Sequence, residues 1–191
     1  ADVNNLWEFV YKMQKDMDNM TEEIDEMTSE MEEMQERINE LENMTSCRLV
    51  PYSNCAGTDF NNTNLSGMDL TGINFQNALL TEANLTGADL DYADLTDANL
   101  RYSDLTRANL RYSDLTRAYL YDADLTDAKL DYADLKDAYL QGADLTNADL
   151  DYADLTKADI DYADLTNADL RYADLTKADL ISAVLTNAYL F

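Results

Sequence analysis

Apolar residues recur along this chain with two different periods. Over residues 3–45 they alternate three and four apart. With Val10 at heptad position a, the a series runs Val3, Val10, Met17, Ile24, Met31, Ile38, Thr45. The d series runs Leu6, Met13, Met20, Met27, Met34, Leu41. So narrow an apolar stripe in so polar a segment cannot be covered by one isolated helix. The pattern predicts a long α-helix over 1–46 that forms a coiled coil, with a seam from Val10 to Leu41. At ~1.5 Å per residue it would span roughly 65 Å. The alternative is a helix packed along the rest of its own chain. Val or Ile at a with Leu at d favours two strands, although Met at d adapts to many packings. Arg37 at g and Glu42 at the following e suit a parallel pair.

From about residue 53 the period becomes five. A large apolar residue stands at 60, 65, 70 and every fifth position to 190, and only Phe60, Phe75 and Ile160 are not Leu. A small residue, usually Ala, lies two places earlier, as in Ala93-Asp94-Leu95-Thr96-Asp97. Five matches neither the helical period nor the alternation of a strand. It suits a chain that turns a corner every five residues, with Leu and Ala inside and three residues outside. Four such sides close a square coil of twenty residues, and coils stack ~4.8 Å apart. Thr58, Thr63, Met68 and Ile73 occupy the small inward site of the first repeats, so the entry coils are expected to be wider and less regular.

These Ala-(Asp/Asn)-Leu-x-x repeats resemble the pentapeptide-repeat family over residues 53–191. The resemblance implies an all-β solenoid, a right-handed quadrilateral β-helix of about seven coils and roughly 33 Å. The expected organisation is a coiled-coil helix at 1–46, a hinge at 47–55 and the β-helix at 56–191.

A twenty-residue coil places residue i+20 over residue i. Tyr92, Tyr112, Tyr132, Tyr152 and Tyr172 then form one outward column, beside Asp91, Arg111, Asp131, Asp151 and Arg171. Another column holds Thr106, Thr126, Thr146, Thr166 and Thr186, with Asn147, Asn167 and Asn187 next to three of them. Stacked tyrosines, shared threonine hydroxyl bonds and Asp-over-Arg pairs are ordinary cross-strand stabilisers. The tyrosine column is also a candidate docking face, because Tyr favours interfaces. The last coil is the most apolar at outward positions, with Ile181, Val184, Tyr189, Leu190 and Phe191, and no polar capping helix follows. An open solenoid end is a template for another chain, so this end is expected to stack on a partner, most simply a second copy.

Cys47 and Cys55 bracket a short segment containing Pro51, where the helix must end. An intrachain disulfide between them would need an oxidising compartment. Two buried thiols or interchain bridges are the alternatives. Asn-x-Ser/Thr occurs at Asn19, Asn43, Asn61, Asn64 and Asn84, which are candidate glycosylation sites. Both features favour an extracellular or cell-surface location over a cytoplasmic one.

The formal charge is −26 and the chain has no His. That balance argues against direct nucleic-acid binding, and no stretch is long enough to span a membrane. Without His there is no Ser-His or Cys-His pair, and two Cys alone make no metal site. No cofactor and no catalysis are expected. Two functions fit. One is a structural, self-assembling protein, a filament or surface-layer subunit, partnered by itself or another surface protein. The other follows from the family resemblance, some of whose members resemble duplex DNA and bind type II topoisomerases. Arg101, Arg107, Arg111 and Arg117 interrupt the acidic surface such a mimic needs. A glycan-binding adhesin is a third and weaker reading.

Overall fold

The computed structural model describes residues 11–15, 17, 20, 24, 27–29, 31, 34 and 47–190. The chain divides into two compact units, Ala1–Ser46 and Cys47–Phe191.

In the first unit every described residue is helical. The rest of the helix expected over 1–46 lies outside the described residues, and no pairing as a coiled coil is shown. Seven seam residues are described. All are exposed, from 48% at Met13 to 66% at Met31. Val10, Ile38 and Leu41 lie outside the described residues. Among the described residues no helix is long and apolar enough to cross a membrane.

The second unit is a four-sided β-helix. Each outward Asp or Asn of the repeat forms a parallel bridge to the residue twenty places on, from Asn54–Asn74 through to Asp169–Tyr189. The repeat around Leu125 shows why the motif has its composition. Leu125 N–H donates to Asp144 C=O at 2.7 Å, and Asp127 N–H donates to Thr146 C=O at 3.0 Å, both in the next coil. Ala128 N–H closes the corner on Leu125 C=O at 3.0 Å. Asp124 N–H reaches back to Ser103 C=O at 2.9 Å. Four of five backbone donors are thereby satisfied. The fifth, Thr126 N–H, donates to the Asp124 side chain at 2.9 Å. The Asp or Asn before each Leu is therefore a structural cap on an otherwise orphaned donor.

The second corner residue of each repeat sits in the left-handed region, for example Asp127 at φ 56° and Tyr132 at φ 62°. Only Gly adopts this region without strain, so each non-Gly residue there costs about 1–2 kcal/mol. Gly72 is fixed for a second reason: the Tyr52 ring lies 2.4 Å from where its Cβ would be.

Inside, Leu and Ala fill the tube from Leu65 to Leu170 with exposures near zero. Ser103 and Ser113 replace Ala, and each hydroxyl donates to a leucine carbonyl, Leu100 or Leu110, at 2.7 Å. The entry coil is as regular as the rest, contrary to the sequence expectation. Cys55 N–H donates to Asn74 C=O at 2.7 Å, the same spacing as in the middle coils. Thr58, Thr63 and Met68 are half-buried, and Ile73 is fully buried. The backbone ladder sets the path, and larger inward residues are absorbed at the end of the tube. Cys47 and Cys55 form a disulfide with Cα atoms 4.6 Å apart. Cys55 is 1% exposed, and Cys47 and Leu49 pack against the core.

Candidate functional site

Any site on a filled tube must be built from its outward columns. Tyr92, Tyr112, Tyr132, Tyr152 and Tyr172 stack with centroids 4.7–5.1 Å apart and planes 3–14° from parallel. That spacing follows the rise of the coils, so the ring faces cover one another and the edges face solvent. The column is thus a row of ring edges, not an aromatic platform. Burial and its Tyr152 and Tyr112 neighbours push the Tyr132 phenol up from its ordinary value.

The charged column beside it does not pair uniformly. Arg111 donates to Asp131 at 2.5 Å across two coils. Arg171 instead binds Asp169 in its own repeat, at 2.6–3.1 Å. The threonines do not share hydroxyls with each other. The N–H groups of Thr106, Thr126, Thr146 and Thr166 donate to the preceding aspartate cap, and Thr166 also donates its hydroxyl to Asp164 at 2.5 Å; Thr186 follows Val184 and has no such cap. The amides do form a ladder, with Asn147 donating to Asp127, Asn167 to Asn147, and Asn187 to Asn167, at 3.0–3.3 Å.

The capping role explains part of the sequon pattern. Asn64 and Asn84 accept bonds from both the N–H and hydroxyl of Ser66 and Thr86. Asn followed two places later by Ser or Thr therefore has a reason in the fold. Asn61 is different: it is exposed and accepts from Thr81 N–H at 2.8 Å, where Leu79 supplies no cap. Asn19, Asn43 and Phe191 lie outside the described residues. In the last described coil Ile181, Val184, Tyr189 and Leu190 are exposed.

A second aromatic cluster breaks the repeat rule. Tyr119 and Tyr139 stand where Asp or Asn normally caps, and they stack at 5.1 Å. Tyr121 lies 5.8 Å from Tyr139 and 6.5 Å from Tyr119. The Arg101 guanidinium covers Tyr119 and Tyr121 at 5.1 and 4.9 Å. An open groove of about 320 Å³ is lined by Arg101, Tyr102, Tyr121 and Asp122. Gln141 donates to Asp159 at one end of the cluster. Sequence reading missed this cluster. Its signal was the missing cap residue at 119 and 139, one coil apart. Among the described residues no group of His, Cys, Asp or Glu could hold a metal.

The carboxylates respond to pH in opposite senses. Burial, then the nearby Asp89 charge, pushes the Asp91 carboxyl above the ordinary 3.8, against the pull of Arg111. A bond from Arg117 holds Asp97 below 3.8, and one from Arg171 does the same for Asp169. Folded Asp91 binds its proton more tightly than the unfolded chain does. Its contribution to stability therefore grows as pH falls through its raised value towards 3.8. The stabilisation from Asp97 and Asp169 is complete above 3.8 and is lost below it, through their lowered values. Thermal midpoints should rise as pH falls from neutral, helped by reduced self-repulsion, and then drop below about 3.8. Asp91→Asn should flatten the rise and leave the acid drop in place; melting curves across the range check this.

The family model for pentapeptide repeats matches residues 51–77, 69–106, 88–127, 103–142, 128–167 and 163–190. Among solved structures the chain is similar to HetL of Nostoc sp. strain PCC 7120, described as involved in heterocyst differentiation regulation. The two are 32% identical over 74% of this chain and 77% of that one, with a TM-score of 0.36. It is also similar to Rfr23 of Cyanothece 51142, at 24% identity over 71% and 90%, TM-score 0.41. A third is full-length QnrB1, a plasmid-mediated fluoroquinolone resistance protein, at 14% over 76% and 86%, TM-score 0.41. No curated protein sequence matches the chain.

Proposed function

The chain belongs to the pentapeptide-repeat family, whose members form right-handed β-helices, and from that premise we propose that it is a non-catalytic structural protein that assembles with copies of itself. The observation that carries this reading is the exposed apolar seam. Met13, Met20, Ile24, Met27, Met31 and Met34 are each about half or more exposed in a single chain, at heptad spacing. Soluble proteins cover such a stripe with a partner helix, so residues 3–45 pair as a parallel coiled coil. The exposed Ile181, Val184, Tyr189 and Leu190 of the last described coil supply a second apolar contact. A heterologous contact of this kind propagates into open fibres.

The disulfide at Cys47–Cys55 and the exposed Asn61 sequon support an extracellular or cell-surface location for such an assembly. Electron microscopy of the purified chain at rising concentration tests the reading. Filaments or sheets are the expected result. Uniform single particles at every concentration, with a monomer mass, would end it. The acidic charge favours a second reading, a mimic of duplex DNA that binds a type II topoisomerase. Inhibition of gyrase supercoiling by the monomeric protein, with no assembly, would favour that reading instead.

A further inference from the structure

The aromatic cluster lies on the side of the β-helix whose cap column reads Leu79, Asn99, Tyr119, Tyr139, Asp159, Asp179. At Tyr119 and Tyr139 the fold gives up an aspartate cap, and this cap column is the least acidic of the four. The flanking corner column alternates in sign. Asp97 binds Arg117 at 2.5 and 2.8 Å, and Asp137 meets Lys157 at 3.6 Å. We propose that this side is a docking surface for a second copy of the chain, lying antiparallel across it.

The argument is charge complementarity. A two-fold axis perpendicular to the coil axis, midway between Tyr119 and Tyr139, sets each residue opposite another in its own column. Tyr119 then faces Tyr139 of the second copy, and Tyr121 faces Gln141. Arg117 faces Asp137, Asp97 faces Lys157, and Arg101 faces Asp161. Asn99 faces Asp159, and Asp122 faces Gly142. No like charges oppose one another anywhere on the side, in a chain of net charge −26.

The other three sides fail this test in every antiparallel register that overlaps five or more coils, whereas the register above overlaps six. One carries Asp94, Asp114, Asp134, Asp154 and Asp174 in a single column, and another Asp104, Asp124, Asp144 and Asp164. Any register of that length there sets Asp against Asp. On the remaining side, the register that matches Lys129 with Asp149 also opposes Arg111 to Arg171 and Asp131 to Asp151.

A second observation agrees. Tyr102 and Tyr162 are 58% and 66% exposed, sit at φ 58° and 61°, and stack on no other ring among the described residues. The proposed axis sets them opposite one another, beside the groove lined by Arg101, Tyr102, Tyr121 and Asp122. Tyr and Arg at the centre with charges at the rim is the usual anatomy of an interface. The charged and aromatic pairs named here span only four of the overlapped coils, roughly 20 Å, so the contact belongs to the weak, concentration-dependent class. This inference goes beyond the helical pairing and end contact proposed above and stands if those fail.

The test is sedimentation velocity of the full chain across a range of concentrations. The wild type should show a reversible doubling of mass, from whatever unit is present at low concentration. Arg117→Asp and Asp137→Arg each oppose like charges across the axis and should each weaken that step about tenfold or more. An equimolar mixture of the two variants restores opposite charges at both symmetry-related positions and should regain it. Circular dichroism melts confirm that each variant folds. A doubling step unchanged in both variants, no doubling in the wild type, or no recovery in the mixture would overturn the proposal. Helical pairing alone would appear as a fixed mass that the two variants leave untouched.

Discussion

Leu125→Asp is expected to unfold the middle of the β-helix. Leu125 is 0% exposed, and the tube around it is lined by Leu and Ala. A carboxylate placed there meets no cation and no free donor. An unpaired buried charge costs several kcal/mol even after relaxation, and protonation to escape that cost still leaves an unsatisfied acid. The loss should exceed about 4 kcal/mol, against about 2–5 for Leu125→Ala, which leaves only a cavity. A solenoid is stabilised coil by coil, so the damage stays local. Hydrogen exchange followed by mass spectrometry should show fast exchange around residue 125, with protection kept in coils far from it. Uniform loss of protection along the chain would mean that the coils fold as one unit.

The second large effect concerns register and changes sign with insert length. Inserting a copy of residues 113–132 after Tyr132 adds one complete coil and extends every ladder. It should raise stability, because another set of coil-to-coil contacts is gained. Inserting a copy of residues 113–117 after Arg117 adds one side only. The inward Leu and Ala pattern survives, yet every outward column beyond the insert moves one side round. Tyr112 loses its stack on Tyr132, Arg111 loses Asp131, and Arg101 loses Tyr119 and Tyr121. These contacts together are worth about 2–4 kcal/mol. Denaturant melts of the three chains should place the twenty-residue insert above the wild type and the five-residue insert below it.

How much of this was legible in the sequence follows from which atoms carry each feature. The five-residue spacing of large apolar residues is enough for the coil, because only a corner every five residues buries Leu and Ala together. Columns such as Tyr92 to Tyr172 follow by adding twenty. Ring orientation does not follow from counting, so the tyrosine column could be placed but not recognised as a row of edges. Likewise Asp151 lies under Arg171, yet Arg171 binds Asp169, because a long side chain reaches the cap in its own repeat as easily as the coil below. The Tyr119, Tyr121 and Tyr139 cluster went unread for another reason. It is marked by the absence of a cap residue, and that absence has meaning only once the Asp124-to-Thr126 bond shows what the cap does. The heptad spacing of residues 3–45 is plain in the sequence, while pairing through it is a property of more than one chain and is left to the proposal above.

The central claim is that twenty residues make one layer, so that residue i+20 lies on residue i. It is tested most directly by paired cysteines under mild oxidation, read by peptide mass spectrometry. Asp114 and Asp134 are bridged across adjacent coils. Cα atoms about 4.4–6.8 Å apart can carry a disulfide. Asp114→Cys with Asp134→Cys should therefore cross-link quantitatively, and Asp114→Cys with Lys129→Cys should not. Efficient bonding of the second pair, or none in the first, would contradict the account.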